Sequence, residues 1–371
     1  IPHAAPISNH NLSISGATDQ VNYFVSAGYF QQDAIIEKWD LTRFNFRANS
    51  DFNVTERLRV GENFSLSNQV TLRGAGNYGD GTILNNLLQQ PPIYLATDPA
   101  LVTPTNPQGL SGNFGTATGW PRSNMFATNE LTDVTDRSTR VLGGLHAELD
   151  LFEGLTLRTQ NSIDYNIGNL YYWQNALTNQ IAGVERPQVG EDARQEAYTV
   201  VSTNTATYTG AFGSHSFDVL AGIETNQFRN NGLSLQTTNF VNTEYGLRRI
   251  VALGDQVLKK SGLADEVNRM GLIGRLNYSF ADRYLLTASV RRDGVSTFAP
   301  GNQWGTFPAV SAGWRISQEP WFNVGWVDEL KVRGSWGQLG NSDIPNGAYP
   351  HFVSVLLWAE YQIGGQVELA P

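Results

Sequence analysis

The sequence predicts an all-β protein, an antiparallel transmembrane β-barrel present in part, with long connections on one side. Three observations predict it. Stretches of about ten residues alternate apolar and polar side chains, the period of a β-strand. These stretches come in pairs joined by tight turns. The connections then alternate short and long along the chain, as they do between the two rims of a membrane barrel.

Arg140–Ile167 shows the pattern best. Val141, Gly143, Leu145, Ala147, Leu149 and Leu151 fall on one face, and Gly144, His146, Glu148 and Asp150 on the other. After Phe152-Glu153-Gly154, Leu155, Leu157, Ile163, Tyr165 and Ile167 share a face, opposed by Thr156, Arg158, Gln160, Ser162, Asp164 and Asn166. One apolar and one charged face, each about ten residues long, suit a strand between lipid and a wet lumen.

Twelve strands are expected, over 12–16, 21–31, 40–52, 56–68, 140–152, 155–167, 197–209, 215–229, 266–280, 283–293, 304–317 and 329–338, with a thirteenth over 350–363. The tight connections are Gly16–Gln20, Asn53–Thr55, Phe152–Gly154, Gly210–Ser214 and Ala281-Asp282. The longer ones are 32–39, 69–139, 168–196, 230–265 and 294–303. Gln318–Asp328 is longer than its side of the barrel predicts, and Glu319-Pro320-Trp321-Phe322 is expected to form a helical turn there. The faces persist: Phe44, Phe46, Ala48 and Phe52 oppose Arg43, Asn45, Arg47, Asn49 and Asp51, while Leu272, Leu276, Tyr278 and Phe280 oppose Arg275, Asn277 and Ser279. Tyr284, Leu286, Ala288 and Val290 oppose Thr287, Ser289 and Arg291. Glu62 is the misfit, on the face of Leu58, Val60, Phe64 and Leu66, which predicts a bulge or a depth near the membrane interface. A soluble β-sandwich would seldom hold such alternation over so many hairpins, and a propeller would repeat at a fixed period, which is missing here.

Bulk composition agrees. Hydrophobic residues make up 40% of 371, and mean hydropathy is −0.29. No run of apolar residues is long enough for a transmembrane helix. A barrel is invisible to that test because half of each strand is polar. With no cysteine there is neither a disulfide scaffold nor a thiolate metal site, and a net charge of −9 argues against a nucleic-acid partner. The start at Ile1-Pro2-His3 carries no signal peptide, and Leu369-Ala370-Pro371 is no terminal aromatic strand. The chain is therefore expected to be a fragment of an exported protein.

Three stretches carry a family resemblance. The first is His10-Asn11-Leu12-Ser13-Ile14-Ser15-Gly16 followed by Tyr23-Phe24-Val25-Ser26-Ala27-Gly28-Tyr29. The second runs from Leu276-Asn277-Tyr278-Ser279-Phe280-Ala281-Asp282-Arg283-Tyr284 to Arg291-Arg292-Asp293-Gly294-Val295-Ser296-Thr297-Phe298. The third joins Trp304-Gly305-Thr306-Phe307-Pro308-Ala309-Val310-Ser311-Ala312-Gly313-Trp314-Arg315-Ile316 to Leu330-Lys331-Val332-Arg333-Gly334-Ser335-Trp336-Gly337. In order and spacing they resemble the SusC/RagA family of TonB-dependent outer-membrane transporters. Arg292 stands where the family has an aromatic, and Val295 and Thr297 where it has Ser and Arg.

The resemblance implies a plugged 22-stranded barrel, of which residues 1–371 would be a barrel part of twelve or thirteen strands without plug or last strands. It implies TonB-dependent import of a large nutrient, an oligosaccharide or oligopeptide. The implied partners are a SusD-like surface lipoprotein, the TonB complex acting through the missing plug, and outer-membrane lipid, in a Gram-negative bacterium of Bacteroidota type. It implies no cofactor and no enzymatic activity.

In that frame Arg43, Arg47, Arg59, Arg158, Arg275 and Arg291 point inward and would hold the plug, in preference to direct substrate contact. His146, Glu148 and Asp150 share one strand face, read as a hydrated wall in preference to a metal or acid–base cluster. Trp120 and the run Tyr171-Tyr172-Trp173 are candidates for ligand or lid contact, with girdle or loop packing the preferred alternative. Asp293, Gly294 and Phe298 mark the family loop. Trp304 and Trp314, at opposite ends of one strand, fit the two interfacial belts. Gly74–Gly81 is no phosphate loop, since no Lys follows it. Ile83–Gln90 is expected to be a short helix, and a calcium role for Asp343 lacks companion carboxylates. Two other classes stay open: a plugless barrel acting as adhesin or receptor, and an outer-membrane enzyme, for which no Ser/His/Asp set stands out.

Overall fold

The computed structural model describes residues 4–73, 97–103, 108–110, 125–176, 180–181, 184–185, 187–241, 250–342, 360–363 and 366–369. Gly74–Gly81, Ile83–Gln90, Trp120 and Asp343 lie outside them.

The strands are β1 (Ile7–Ala17), β2 (Val21–Asp33), β3 (Asp40–Asn53), β4 (Leu58–Arg73), β5 (Thr132–Phe152), β6 (Leu155–Gln174), β7 (Gln180–Ile181), β8 (Val184–Glu185), β9 (Val189–Phe212), β10 (His215–Phe240), β11 (Gly254–Phe280), β12 (Tyr284–Val295), β13 (Trp304–Arg315), β14 (Lys331–Gly337), β15 (Glu360–Ile363) and β16 (Gln366–Leu369). Among the described residues one α-helix, α1 (Met125–Leu131), precedes β5. Among the described residues twelve strands form one sheet in the order β1-β2-β3-β4-β5-β6-β9-β10-β11-β12-β13-β14, each beside its predecessor. Its end strands, β1 and β14, have one neighbour each, so the sheet is not closed. β15 pairs only with β16, so the described part of the expected thirteenth strand is not an element of the large sheet.

Most strands outrun their predicted bounds on the long-connection side, most of all β5, β6, β9, β10 and β11, which reach 21, 20, 24, 26 and 27 residues. A transmembrane strand needs about 9–11 residues. The apolar alternation ends where lipid contact would end, but ladder hydrogen bonds continue through polar sequence such as Gly190-Glu191-Asp192-Ala193-Arg194. At the predicted helical turn the Phe322 N–H donates to the Glu319 carbonyl at 3.0 Å, and a 3-10 turn over Ile316–Gln318 precedes it.

The chain divides into two compact units. The first holds residues 1–147, 160–200 and 229–264. Here β2, β3 and β4 pair without interruption, with Tyr29↔Phe44, Ala27↔Phe46 and Val25↔Ala48, then Phe46↔Leu66 and Ala48↔Phe64. These residues share one face, and Leu12, Ile14, Phe44 and Phe52 on it are exposed. Such an apolar surface is a liability in water and is what a lipid-facing wall requires. Register through Glu62 is unbroken, so there is no bulge. Glu62 sits opposite Ser50, whose hydroxyl donates to it at 2.8 Å, close to the Asn53–Leu58 turn. Near a membrane interface a charge costs little. The enclosed core lies at the far ends of the long strands, where Trp173, fully buried, meets the Phe240 ring edge-on at 4.9 Å beside Val189 and Val251.

The second unit holds residues 148–159, 201–228 and 265–371. Its turns are tight. Gly154 takes φ +87, and a Cβ there would press to 2.5 Å of the Thr209 carbonyl. Ala281 and Asp282 both have positive φ, 53 and 55, and close a turn in which the Arg283 N–H donates to the Phe280 carbonyl at 3.0 Å. Consecutive left-handed residues suit the twist of a hairpin, although Ala resists that conformation. Aromatic rings gather at this end: Phe212, His215, Phe280, Tyr284, Trp314 and Trp321 follow one another at centroid spacings of 4.7 to 6.3 Å. Glu319 fastens the group. It accepts from the Tyr284 hydroxyl at 2.6 Å and the Trp314 indole at 2.9 Å, and pairs with Arg283 at 3.2 Å. From Trp314 to Trp304 β13 spans about 34 Å, or about 26 Å across a bilayer at about 40° tilt, matching an apolar band about 25 Å tall.

Two predictions follow from these turns. Ala281→Gly should raise unfolding stability by a few tenths to about 1 kcal/mol, since relief of left-handed strain exceeds the added chain entropy; urea unfolding in detergent measures it. The Tyr284 hydroxyl and Trp314 indole hold the Glu319 carboxyl below the usual carboxylate range, with Arg283 adding to them and burial opposing. A depressed carboxyl stabilises the fold above its unfolded pKa, and that contribution disappears as pH falls through the folded value. Stability measured from pH 7 to pH 3 should therefore fall more steeply in the parent than in Glu319→Gln, and Glu319→Leu, which strands three donors, should be the least stable at pH 7.

Candidate functional site: the polar face

The same alternation that exposes one apolar face lines up charged groups on the other. In the second unit this face is a connected network. Thr156 donates to Asp150 at 2.7 Å, and Arg158 pairs with Glu148 at 3.4 Å. Asp218 receives the Asn277 amide at 3.1 Å and Thr209 at 3.3 Å, with Arg275 at 3.7 Å. Thr287 in turn donates to Asn277 at 3.0 Å. Arg291 is held twice: Nη2 donates to Glu224 and Nε to Asp293, both at 2.7 Å. Thr203 supports Glu224 at 3.2 Å. The charge-assisted contacts, Arg158 with Glu148, Arg275 with Asp218, and Arg291 with Glu224 and Asp293, are the strong ones, and each pairs a cation with an acid of the same wall.

Arg291 and its two carboxylates border a cavity of about 320 Å³ whose lining includes Asn226, Arg269, Phe298 and Phe307. Asp293 and Phe298 of the family loop thus meet at one place, with Gly294 beside them, opposite Trp304. Glu224, Asn226 and Phe307 were not singled out by sequence. Strand parity could have placed Glu224 on the polar face, but not against an arginine 67 residues away.

In the first unit the polar face is less evenly compensated. His146 faces Asp51 at 3.3 Å, and Arg140 makes a two-pronged contact with Asp164 at 2.9 and 2.6 Å. Gly61 lies beneath the His146 pair. A Cβ there would fall 2.2 Å from the imidazole and 2.3 Å from Asp51, so the contact needs glycine. Arg43 lies over the Phe30 ring at 5.2 Å, and its Nε is buried without a hydrogen-bond partner. Arg47 stands opposite Ser65 and reaches the neighbouring Asn49 amide at 3.3 Å; Arg59 stands opposite Asn53. Neither Arg43 nor Arg47 has a carboxylate within ion-pair distance among the described residues.

His146, Glu148 and Asp150 share a strand face, yet each turns to a different partner: Asp51, Arg158 and Thr156. Among the described residues no three His, Cys, Asp or Glu side chains gather as a metal site. Tyr171, Tyr172 and Trp173 belong to the end of β6 rather than to a loop. Tyr172 donates to Gln174 at 2.9 Å, and Trp173, enclosed by the core, offers no open face for stacking.

Residues 90–352 match the family model described as "TonB dependent receptor-like, beta-barrel". TonB-dependent receptor P3 of Formosa agariphila is 27% identical over 97% of this chain, and TonB-dependent receptor SusC of Bacteroides thetaiotaomicron 25% identical over 96%. The chain spans 36% of the length of each. Among solved structures, the RagAB peptide importer in its "closed-closed" state superposes with a TM-score of 0.77 at 21% identity, over 99% of this chain and 40% of that one. The family match covers more than two thirds of the sequence: the chain belongs to the TonB-dependent receptor-like β-barrel family.

Proposed function

We propose that this chain is wall of an outer-membrane importer, in a Gram-negative bacterium of Bacteroidota type, that takes up an oligosaccharide or oligopeptide too large for porins. In this reading TonB drives the cycle through a plug, and a SusD-like surface lipoprotein closes the mouth. The wall binds, guides and seals, and does no bond chemistry. The observation that carries the reading is the two-faced sheet: an exposed apolar face for lipid, backed by a polar face rich in ion pairs. Family membership supports the transport class.

The polar face also divides the labour among its arginines. Arg158, Arg275 and Arg291 are neutralised within the wall. Arg43 and Arg47 keep their charge available, and an acidic plug surface would complete them. Arg43 is half-buried with its Nε unpartnered, and such a cation is costly, while Arg47 is exposed on the same face, so both gain from a partner that enters the lumen.

Deleting the gene in its source strain should abolish growth on one class of oligosaccharide or oligopeptide while leaving growth on the monomers intact. Normal growth on every such polymer, with the protein still in the outer membrane, would sink the importer reading in favour of an adhesin or receptor. With the full-length protein, exchanging both Arg43 and Arg47 for Gln should loosen the plug. The expected signs are several-fold greater sensitivity to vancomycin and unchanged outer-membrane levels. Unaltered sensitivity would argue that these cations do not seat a plug.

A further inference from the structure

We infer that Arg292, with Trp304, binds the phosphate group of a phosphorylated glycolipid in the outer leaflet of the membrane. The inference rests on the reading that the apolar face meets lipid. Along β12 that face runs Tyr284, Leu286, Ala288, Val290 and then Arg292. The first, second and fourth of these are exposed large hydrophobics. Register fixes the placement of Arg292: it stands opposite Leu272 of β11 and Thr306 of β13, away from the polar face where Arg291 meets Glu224 and Asp293.

Arg292 is exposed, and among the described residues it forms no ion pair. Its guanidinium lies over the Trp304 ring at 5.3 Å. A lone cation at the middle of the apolar band would cost about 2–4 kcal/mol, falling to about 0–1 near the interface. Depth therefore decides whether this residue is tolerable, and what it can touch. From Tyr284, in the aromatic belt of the tight-turn side, to Arg292 the strand rises about 27 Å, or about 21 Å across a tilted wall. That places Arg292 at the opposite margin of a band about 25 Å tall, level with Trp304.

This margin lies on the side of the long connections, which in such barrels is extracellular. The leaflet there supplies phosphate at headgroup depth. Arg presents a planar fork matched to phosphate oxygens, and stacking on Trp304 fixes its plane while leaving the outer edge free.

The test uses the full-length protein purified in detergent. Lipid A is added at increasing concentration, with dephosphorylated lipid A and inorganic phosphate as separate arms. Retained lipid is counted by native mass spectrometry, and thermal unfolding is followed in parallel. Arg292→Gln should bind lipid A about tenfold more weakly and lose the lipid-induced rise in Tm. Arg292→Lys should fall between the two, and dephosphorylated lipid A should act on none of them. Equal lipid A retention by the parent and Arg292→Gln would overturn the inference, as would inorganic phosphate reproducing the effect. If instead the protein does not fractionate with the outer membrane at all, the lipid-facing assignment itself has failed.

Discussion

The structure depends on register. In a wall that meets lipid, every backbone N–H and C=O must be satisfied by a neighbouring strand. Every outward side chain must also be one that hydrocarbon accepts. Both conditions are met by one choice, the pairing of residue with residue. In β11, β12 and β13 the register Leu276↔Ala288↔Val310 sets apolar on apolar, and Asn277↔Thr287↔Ser311 sets polar on polar one step along. A slip of β12 by a single residue would turn Arg291 and Asp293 toward lipid together. Since each would cost up to a few kcal/mol there, register is selected by the sum of many side chains and not by any one contact.

The polar face has its own requirement. An unpaired charge there is cheap only while water reaches it. In the second unit the acids and bases of neighbouring and next-but-one strands answer one another, so the face carries little uncompensated charge at Asp218 or Glu224. That arrangement braces the hairpins independently of whatever fills the lumen. β3 differs. Arg43 rests on Phe30 and Arg47 on a neighbouring amide, weaker companions than a carboxylate. The contrast between a self-neutralising part and a part left positive is the electrostatic basis for assigning wall-bracing to one set and partner contact to the other.

Sequence alone revealed the strands, their faces and the tight turns, because each rests on a local rule: period two for side chains, and turn residues between runs. It also placed Arg275 and Arg291 on the polar face. It understated β9, β10 and β11, since the signal it reads is apolar alternation, and that stops where ladder bonding does not. Trp173 reads as a girdle or loop-packing aromatic ahead of a ligand contact, and the packing partner itself is not legible because Phe240 lies on another strand. The cavity beside Asp293 was half legible: the loop was visible, while Glu224 and Phe307 come from register. Glu319 was assigned to a helical turn, and its work as acceptor for Tyr284 and Trp314 depends on pairing that no short window of sequence contains.

Departures from the two-face rule are the most informative positions, because depth decides their cost. Glu62 and Arg292 both carry charge on the apolar face. In the first unit Glu62 lies beside the Asn53–Leu58 turn with Ser50 as its partner, and in the second unit Arg292 lies over Trp304 near the long-connection end of β12. Neither sits at mid-band, where Leu286, Ala288 and Val310 are found. A sequence free to vary on its lipid face would scatter charges along it. One that meets hydrocarbon confines them to the two edges, where headgroups and water can answer them. The positions of the exceptions within each unit therefore report on the membrane as directly as the apolar residues do.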